Sequence, residues 1–366
     1  MKLLAALFGI SLVLVILWDA FETVILPRRV TRRLRLTTLF YESIWKPWAG
    51  LLRSMKNRKR REKLLGMFGP LSLLLLLALW AAGLIFGYSI ILWAISAPLN
   101  VAPENTTLAT YLYLSGVTFL TLGYGDIAPV LPLGRTVVVL ESATGFALLA
   151  IVIGYLPVLY QAFSRREVSI SLLDARAGSP ASATEMLRRY GAAGQLADLN
   201  RVLHEWERWS AELLESHLSY QVLCYFRSQH DNQSWLASMT TILDTCSLVL
   251  VGVEGMPKWQ AQLTFAMARH AVADITQIFK TTPTAPESCL TRLRDGELER
   301  IREILASSGA NLSDGEEGEE KLTQLRLMYE PYVCALSEMF LMTLPPWIVS
   351  SEAIDNWKTS AWGRIQ

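Results

Sequence analysis

Residues 121 to 126 read Thr121-Leu122-Gly123-Tyr124-Gly125-Asp126, a run in which the main chain is the chemically useful group. A backbone alternating ordinary and left-handed dihedrals can present stacked carbonyl oxygens, and rings of such oxygens replace the water shell of a dehydrated K⁺ ion. Gly123 and Gly125 populate positive φ at little cost, where a Cβ would be penalised. The ion-facing oxygens are assigned to the carbonyls of Thr121, Leu122, Gly123 and Tyr124, with the Thr121 hydroxyl closing the inner end. Leu122 and Tyr124 are expected to turn away from the ion and pack on the preceding helix, holding the ring diameter. Asp126 then falls at the outer mouth, where carboxylates from several copies would raise the local cation concentration. One chain carries one such loop, so a closed ring requires more than one copy.

Such a loop needs a hydrophobic setting, and the chain supplies one. Of its 366 residues 52% are hydrophobic, above the soluble norm of about 45–50%. Leu71–Ile95 and Thr136–Phe163 are long enough to cross a hydrocarbon core of about 30 Å. Leu3–Leu26 is a third such run. It reads either as a signal peptide or as a retained helix, and the lack of an A-x-A-like cleavage site before Asp19 and the dense basic stop after it favour retention. Between the first and second spans lie Arg28, Arg29, Arg32, Arg33, Arg35, Lys46, Arg53, Lys56, Arg58, Lys59, Arg60, Arg61 and Lys63, against only Glu42 and Glu62. The positive-inside rule makes this loop cytoplasmic, so the N-terminus lies outside and the second span runs outward. Ser96–Leu133, with no Lys or Arg, is then external, and the third span returns inward. Membrane flanks account for the basic loop without nucleic acid. Leu36–Met55, with Trp45 and Trp48, is expected to lie along the inner interface.

Between the outward and inward spans, Ala109–Leu120 is apolar but too short to cross, which marks a re-entrant segment; irregular backbone at that depth must be buried in protein or line a water-filled path. The helix is expected to end near Thr118–Leu120, its negative dipole end facing a central cavity.

Here the sequence resembles bacterial potassium channels with one pore loop between two membrane helices. The resemblance is carried by Thr118-x-x-Thr121-x-Gly123-Tyr124-Gly125-Asp126, by Gly134-Arg135 opening the inner helix and by Gly145, and it covers roughly residues 70–164. It implies a homotetramer conducting K⁺ passively across the cytoplasmic membrane, with Gly145 as the inner-helix hinge, although a glycine in a membrane helix is also commonly a close-packing site. Leu122 stands where valine is commoner, and Val117 where some relatives carry a supporting glutamate. Glu141, an ionisable group one turn before Gly145, either faces the cavity and holds K⁺ or binds neighbouring helices. Pro157, within Gly154-Tyr155-Leu156-Pro157, is expected to bend the inner helix and to place the gate at Ile153–Tyr160.

The remainder differs in kind. Residues 1–164 carry 15 Lys/Arg against 7 Asp/Glu, and residues 165–366 carry 19 against 26. All four cysteines, Cys224, Cys246, Cys289 and Cys334, fall in the acidic part without C-x-x-C spacing, as reduced buried thiols would. Helical periodicity recurs over Ala193–Leu218, Trp235–Val251, Trp259–Phe279, Cys289–Ala306 and Lys321–Leu344, giving an all-helical cytoplasmic bundle. Ser313–Glu320 reads as a flexible acidic loop without EF-hand spacing. His204, Glu205, Glu212, Glu215 and His217, and Arg269, His270 and Asp274, read as surface ion pairs rather than a metal site. Arg227–Asn232 is either a ligand loop or a turn satisfying helix ends. No nucleotide-binding glycine motif, voltage-sensing arginine ladder or catalytic constellation is visible, so an enzyme is not expected.

The expected organisation is thus an all-α membrane protein: an N-terminal span (1–27), a basic loop with an interfacial helix (28–69), a pore domain (70–164) and a helical domain (165–366). K⁺ is its transported ion and lipid its surrounding, no other cofactor is implied, and a ligand or protein at the helical domain is unspecified. The rival readings are a non-conducting receptor anchored by the pore-like half and a non-selective cation channel. The intact hexapeptide argues against both.

Overall fold

Asn57 begins the helix of the second apolar run well before that run. Its side chain accepts from the Arg60 N–H at 3.1 Å, and the basic residues behind it are good helix formers, so the helix spans Arg58–Ala94 rather than starting at Leu71. The computed structural model describes residues 1–26, 35–230, 232–313 and 315–350. Arg28, Arg29, Arg32, Arg33, Asp231 and Asp314 of the reading above lie outside them, as does the stretch after 350. Among the described residues the chain is all-helical, with two isolated bridges and no strand. It divides into two units, Met1–Gln161 and Ala162–Gln366.

The first unit holds α1 (Lys2–Ala20, continued by a π-helical turn Phe21–Ile25), α2 (Leu36–Arg53), α3 (Arg58–Ala94), α4 (Leu108–Phe119) and the first part of α5 (Pro132–Ala177). Helices α1 and α3 are antiparallel: Lys2 bonds Ser96 beyond the end of α3, and Trp80 Nε1 donates to Asp19 at 3.1 Å. Between these ties the backbones pack closely, since a Cβ on Gly87 would come within 2.7 Å of Val13. Asp19 is buried and also accepts from the Thr37 hydroxyl at 2.6 Å and the Thr37 N–H at 3.2 Å, which binds α2 to α1. Trp45 is buried edge-on against Phe68, 4.7 Å between centroids, so α2 packs on α3 through this tryptophan. Outward-facing Leu74, Leu75, Leu79 and Phe86 of α3 and Val139, Phe146 and Ile153 of α5 are exposed.

Helix α5 passes unbroken through Gly154 and Pro157 and beyond Arg165-Arg166-Glu167 to Ala177. Pro157 lies inside the helix and does not end it. One proline removes a single donor, and the helix is long enough to continue on its other bonds.

The second unit contains α6 (Ala183–Ala192), α7 (Leu199–Ser219), α8 (Trp235–Gly252), α9 (Lys258–Ile278), α10 (Pro286–Cys289), α11 (Glu297–Ser307), α12 (Glu316–Leu327) and α13 (Glu330–Phe340). Helix α8 is its centre, buried along its whole length. Two expected helices are subdivided: Cys289–Ala306 breaks before Gly296, which is left-handed at φ +79°, and Lys321–Leu344 breaks at Met328-Tyr329. The acidic run is not wholly a loop either. Glu316–Glu320 open α12, where carboxylates offset the positive end of the helix dipole. Arg227 donates to the carbonyls of Phe340 at 2.5 Å and Leu341 at 3.1 Å, so this residue of the segment satisfies the end of α13.

Candidate functional site

The pore helix α4 is fixed at both ends by local chemistry. Thr107 and Thr110 form a reciprocal capping box at its start. At its end, Thr121 N–H donates to Thr118 O at 3.0 Å and Leu122 N–H to Val117 O at 2.8 Å, the two bonds of a Schellman motif. That motif requires a left-handed residue, usually glycine, and here it is Thr121 at φ +57°. A β-branched residue in that region is strained, and such strain is held where surrounding structure demands it.

From this cap the backbone continues with Gly123 at φ +61° and Gly125 at φ +75°. Left-handed conformations therefore fall on alternate residues, 121, 123 and 125. The two glycines were legible from the sequence and Thr121 was not, because its conformation comes from the helix cap. The residues from Thr121 to Asp126 are exposed, Leu122 by 52% and Tyr124 by 67%. About half of each of these two side chains, or more, is therefore left uncovered within one chain. Leu122 and Tyr124 present apolar surface that a single copy does not cover.

The loop's exit is tied down by residues the sequence reading did not single out. Tyr113 of α4 donates to Asp126 Oδ2 at 2.9 Å, and Asn100 donates to Asp126 O at 3.3 Å while accepting from Ala128 N–H at 2.7 Å. The strand-like pairing of Leu99 with Pro129 and the bond from Val130 N–H to Pro98 O at 2.9 Å continue this seam. Tyr111 anchors it from below, donating to Ala97 O at 2.7 Å.

Behind the loop, α5 meets α4 at two points. A Cβ on Gly145 would land on the carbonyl oxygen of Phe119, so Gly145 is a close-packing position where the inner helix touches the end of the pore helix. One turn earlier, Glu141 is fully buried and its Oε1 is in hydrogen-bond contact with Ser115 Oγ. That placement removes the alternative in which Glu141 faces a water-filled cavity; it binds a neighbouring helix. Pro157 is exposed and Thr118 half-buried.

In the second unit the polar residues of α7 and α9 mostly pair at the surface: Arg208 with Glu212 at 2.9 Å, His204 with Glu207 at 3.6 Å and His270 with Asp274 at 3.9 Å. His217 departs from the surface reading. It is buried, with Arg166 3.3 Å from its Nε2 and Leu213 O 2.8 Å from its Nδ1. Arginine only donates, so Nε2 accepts and Nδ1 carries the proton of a neutral ring. Burial first, and the Arg166 charge second, hold its pKa well below the ordinary histidine value. A buried network also escaped the sequence. Arg292 donates to Asp244 Oδ2 at 2.7 Å and Glu330 Oε1 at 3.0 Å, Arg326 to Glu330 Oε2 at 3.1 Å, and Tyr329 to Asp244 Oδ1 at 2.5 Å. Burial alone would lower the Arg292 guanidinium, but Asp244 and Glu330 beside it hold it above its ordinary value.

An all-helical chain with several uncovered apolar helices and a short capped helix leading into an exposed glycine-punctuated loop is the arrangement of a multi-pass membrane protein with a pore loop. Residues 74–161 match the family model described as ion channel, a stretch that holds the upper part of α3, α4, the loop and the first part of α5. The match supports an ion-channel subunit of the pore type. The uncharacterized membrane protein YdjJ of Bacillus subtilis (strain 168) is 24% identical over 196 residues, covering 52% of this chain and 56% of that protein. The chain thus spans little more than half the length of this relative. No solved structure matches.

Proposed function

We propose that this chain is one of four identical subunits of a potassium-selective channel, with K⁺ held by the carbonyls of Thr121, Leu122, Gly123 and Tyr124. The observation that carries the reading is the alternation of left-handed residues at 121, 123 and 125 directly after the Schellman end of α4. Alternating backbone handedness is what lets consecutive carbonyls line one ion path, and an isolated anchor has no use for it. The exposure of Leu122 and Tyr124 supports several copies, since each copy leaves bare what its neighbours would cover. Gly125 completes the turn and Asp126, held by Tyr113, sits at the outer mouth. Conduction is passive across the cytoplasmic membrane, with the N-terminus outside and residues 165–366 inside as a regulatory domain; opening occurs on α5 around Gly145 and Pro157. The contact of Lys2 with Ser96 supports an external N-terminus, since both then lie at the end from which the pore helix is entered.

The test is Rb⁺ or K⁺ flux from purified protein in liposomes. The expected result is a flux that excludes Na⁺ and vanishes in Gly123→Ala, because alanine penalises φ +61°. Equal Na⁺ and K⁺ permeability would replace the reading with a non-selective channel. Absence of any flux from assembled protein would leave an oligomeric anchor.

A further inference from the structure

Glu141 has surroundings that count its protons. Its side chain is fully buried in the first unit, Oε1 touches Ser115 Oγ, and Oε2 has no hydrogen-bond partner. Ser115 Oγ also lies 2.7 Å from the carbonyl oxygen of Ile85 on α3. A serine hydroxyl owns one proton and a backbone carbonyl can only accept. If the Ser115 proton serves Ile85, the contact with Glu141 needs a proton from Glu141. A carboxylate would instead have to draw the Ser115 proton away from Ile85 and still leave Oε2 bare in an apolar site, the costly way to bury a charge.

We infer that Glu141 is carried as a neutral carboxylic acid whose O–H donates to Ser115, which donates to Ile85, and that this relay is a positioning device for the filter. The inference rests on the potassium-channel reading above. The relay runs from α5 through α4 to α3. Ser115 stands two residues before Val117, whose carbonyl receives the N–H of Leu122 at 2.8 Å and of Gly123 at 3.3 Å. Whatever fixes Ser115 therefore fixes the first two left-handed steps of the loop. Gly145 against Phe119 supplies the second grip on α4. A parallel tie joins α3 to α5: Tyr88 donates to Thr144 Oγ1 at 2.9 Å, since the Thr144 hydroxyl donates to Leu140 O at 2.8 Å. Glu141 is thus a positioning residue for K⁺ selection and does not touch the ion.

Two measurements on the full chain in lipid decide this. The infrared difference spectrum between wild type and E141Q should contain a carboxylic-acid C=O band, and S115A should shift that band; carboxylate bands in its place would overturn the relay. In liposome flux, E141Q, whose amide N–H₂ can donate to Ser115, should keep the K⁺ over Na⁺ preference, and E141A should lose it while remaining assembled. Equal selectivity in E141A and wild type, or E141Q no better than E141A, would overturn the positioning role. Should E141A fail to assemble, S115A, which removes one hydroxyl, carries the same flux test. Wild-type protein without K⁺ flux would instead sink the channel reading and with it the filter-positioning role, while the infrared band still decides the proton.

Discussion

Helices α5 and α8 are both long and apolar enough to cross a membrane, yet the chain itself buries 17% of the apolar stretch of α5 and 94% of that of α8. Apolar content is therefore the same signal with two outcomes. In the second unit α8 is enclosed by helices of the same chain, and the buried polar groups form a closed network in which Arg292 serves both Asp244 and Glu330. In the first unit the apolar faces of α3 and α5 are left to lipid or to further copies, and the buried polar groups are one set running from Trp80 through Asp19, Thr37 and Thr23 to Arg35 and Glu22, and the separate contact of Glu141 with Ser115. A region that covers its own core can afford a many-membered ion network.

The largest expected effect separates the units. Removing one member of the enclosed network, by Asp244→Ala or Arg292→Ala, leaves a buried charge without its partner and should cost about 3–5 kcal/mol in the second unit. Denaturant unfolding followed through Trp347, whose ring lies under Arg292 and Arg326, measures it. A loss below about 1 kcal/mol, the range of surface pairs, would break the contrast.

Next is Gly145→Ala, which forces a methyl group onto Phe119 O and should cost about 1–3 kcal/mol by overpacking while abolishing K⁺ flux. Unchanged flux and melting would show that α5 and α4 separate freely there, and would count against both the close-packing and the hinge role of Gly145.

His217 gives a pH test confined to the second unit. Its folded pKa is lowered, so below the ordinary value of about 6.5 the unfolded state binds a proton that the folded state refuses. Stability should fall with falling pH in that window, by up to about 1.4 kcal/mol per unit, and be independent of this group above it. His217→Gln should flatten that part of the profile, and a variant with the wild-type slope would remove His217 as the cause.

The smallest effect is Gly154→Ala on α5, where a Cβ meets open space in the single chain and helix propensity should add up to about 1 kcal/mol. Thermal unfolding in detergent would detect it. Destabilisation instead would mean that a neighbouring copy occupies that face.

Much of the architecture was legible because its causes are local. Apolar runs with basic flanks located the membrane helices, helical periodicity located most of the bundle, and the spacing of Gly123 and Gly125 announced positive φ at both. Boundaries were less legible: α3 begins at Arg58 and α5 continues to Ala177, because helix propensity extends past the apolar stretch that hydropathy detects. The acidic run was misread in part because its charge suits a helix start as well as a loop.

The sequence by itself determined that the main chain can turn left-handed at Gly123 and Gly125, since glycine's freedom is a property of the residue. Only the tertiary structure decided that Thr121 joins the left-handed steps, that Glu141 faces Ser115 rather than water, and that α8 is enclosed while α5 is not. Each of these depends on which groups, distant along the chain, come to lie within van der Waals or hydrogen-bonding reach, and no local pattern encodes that.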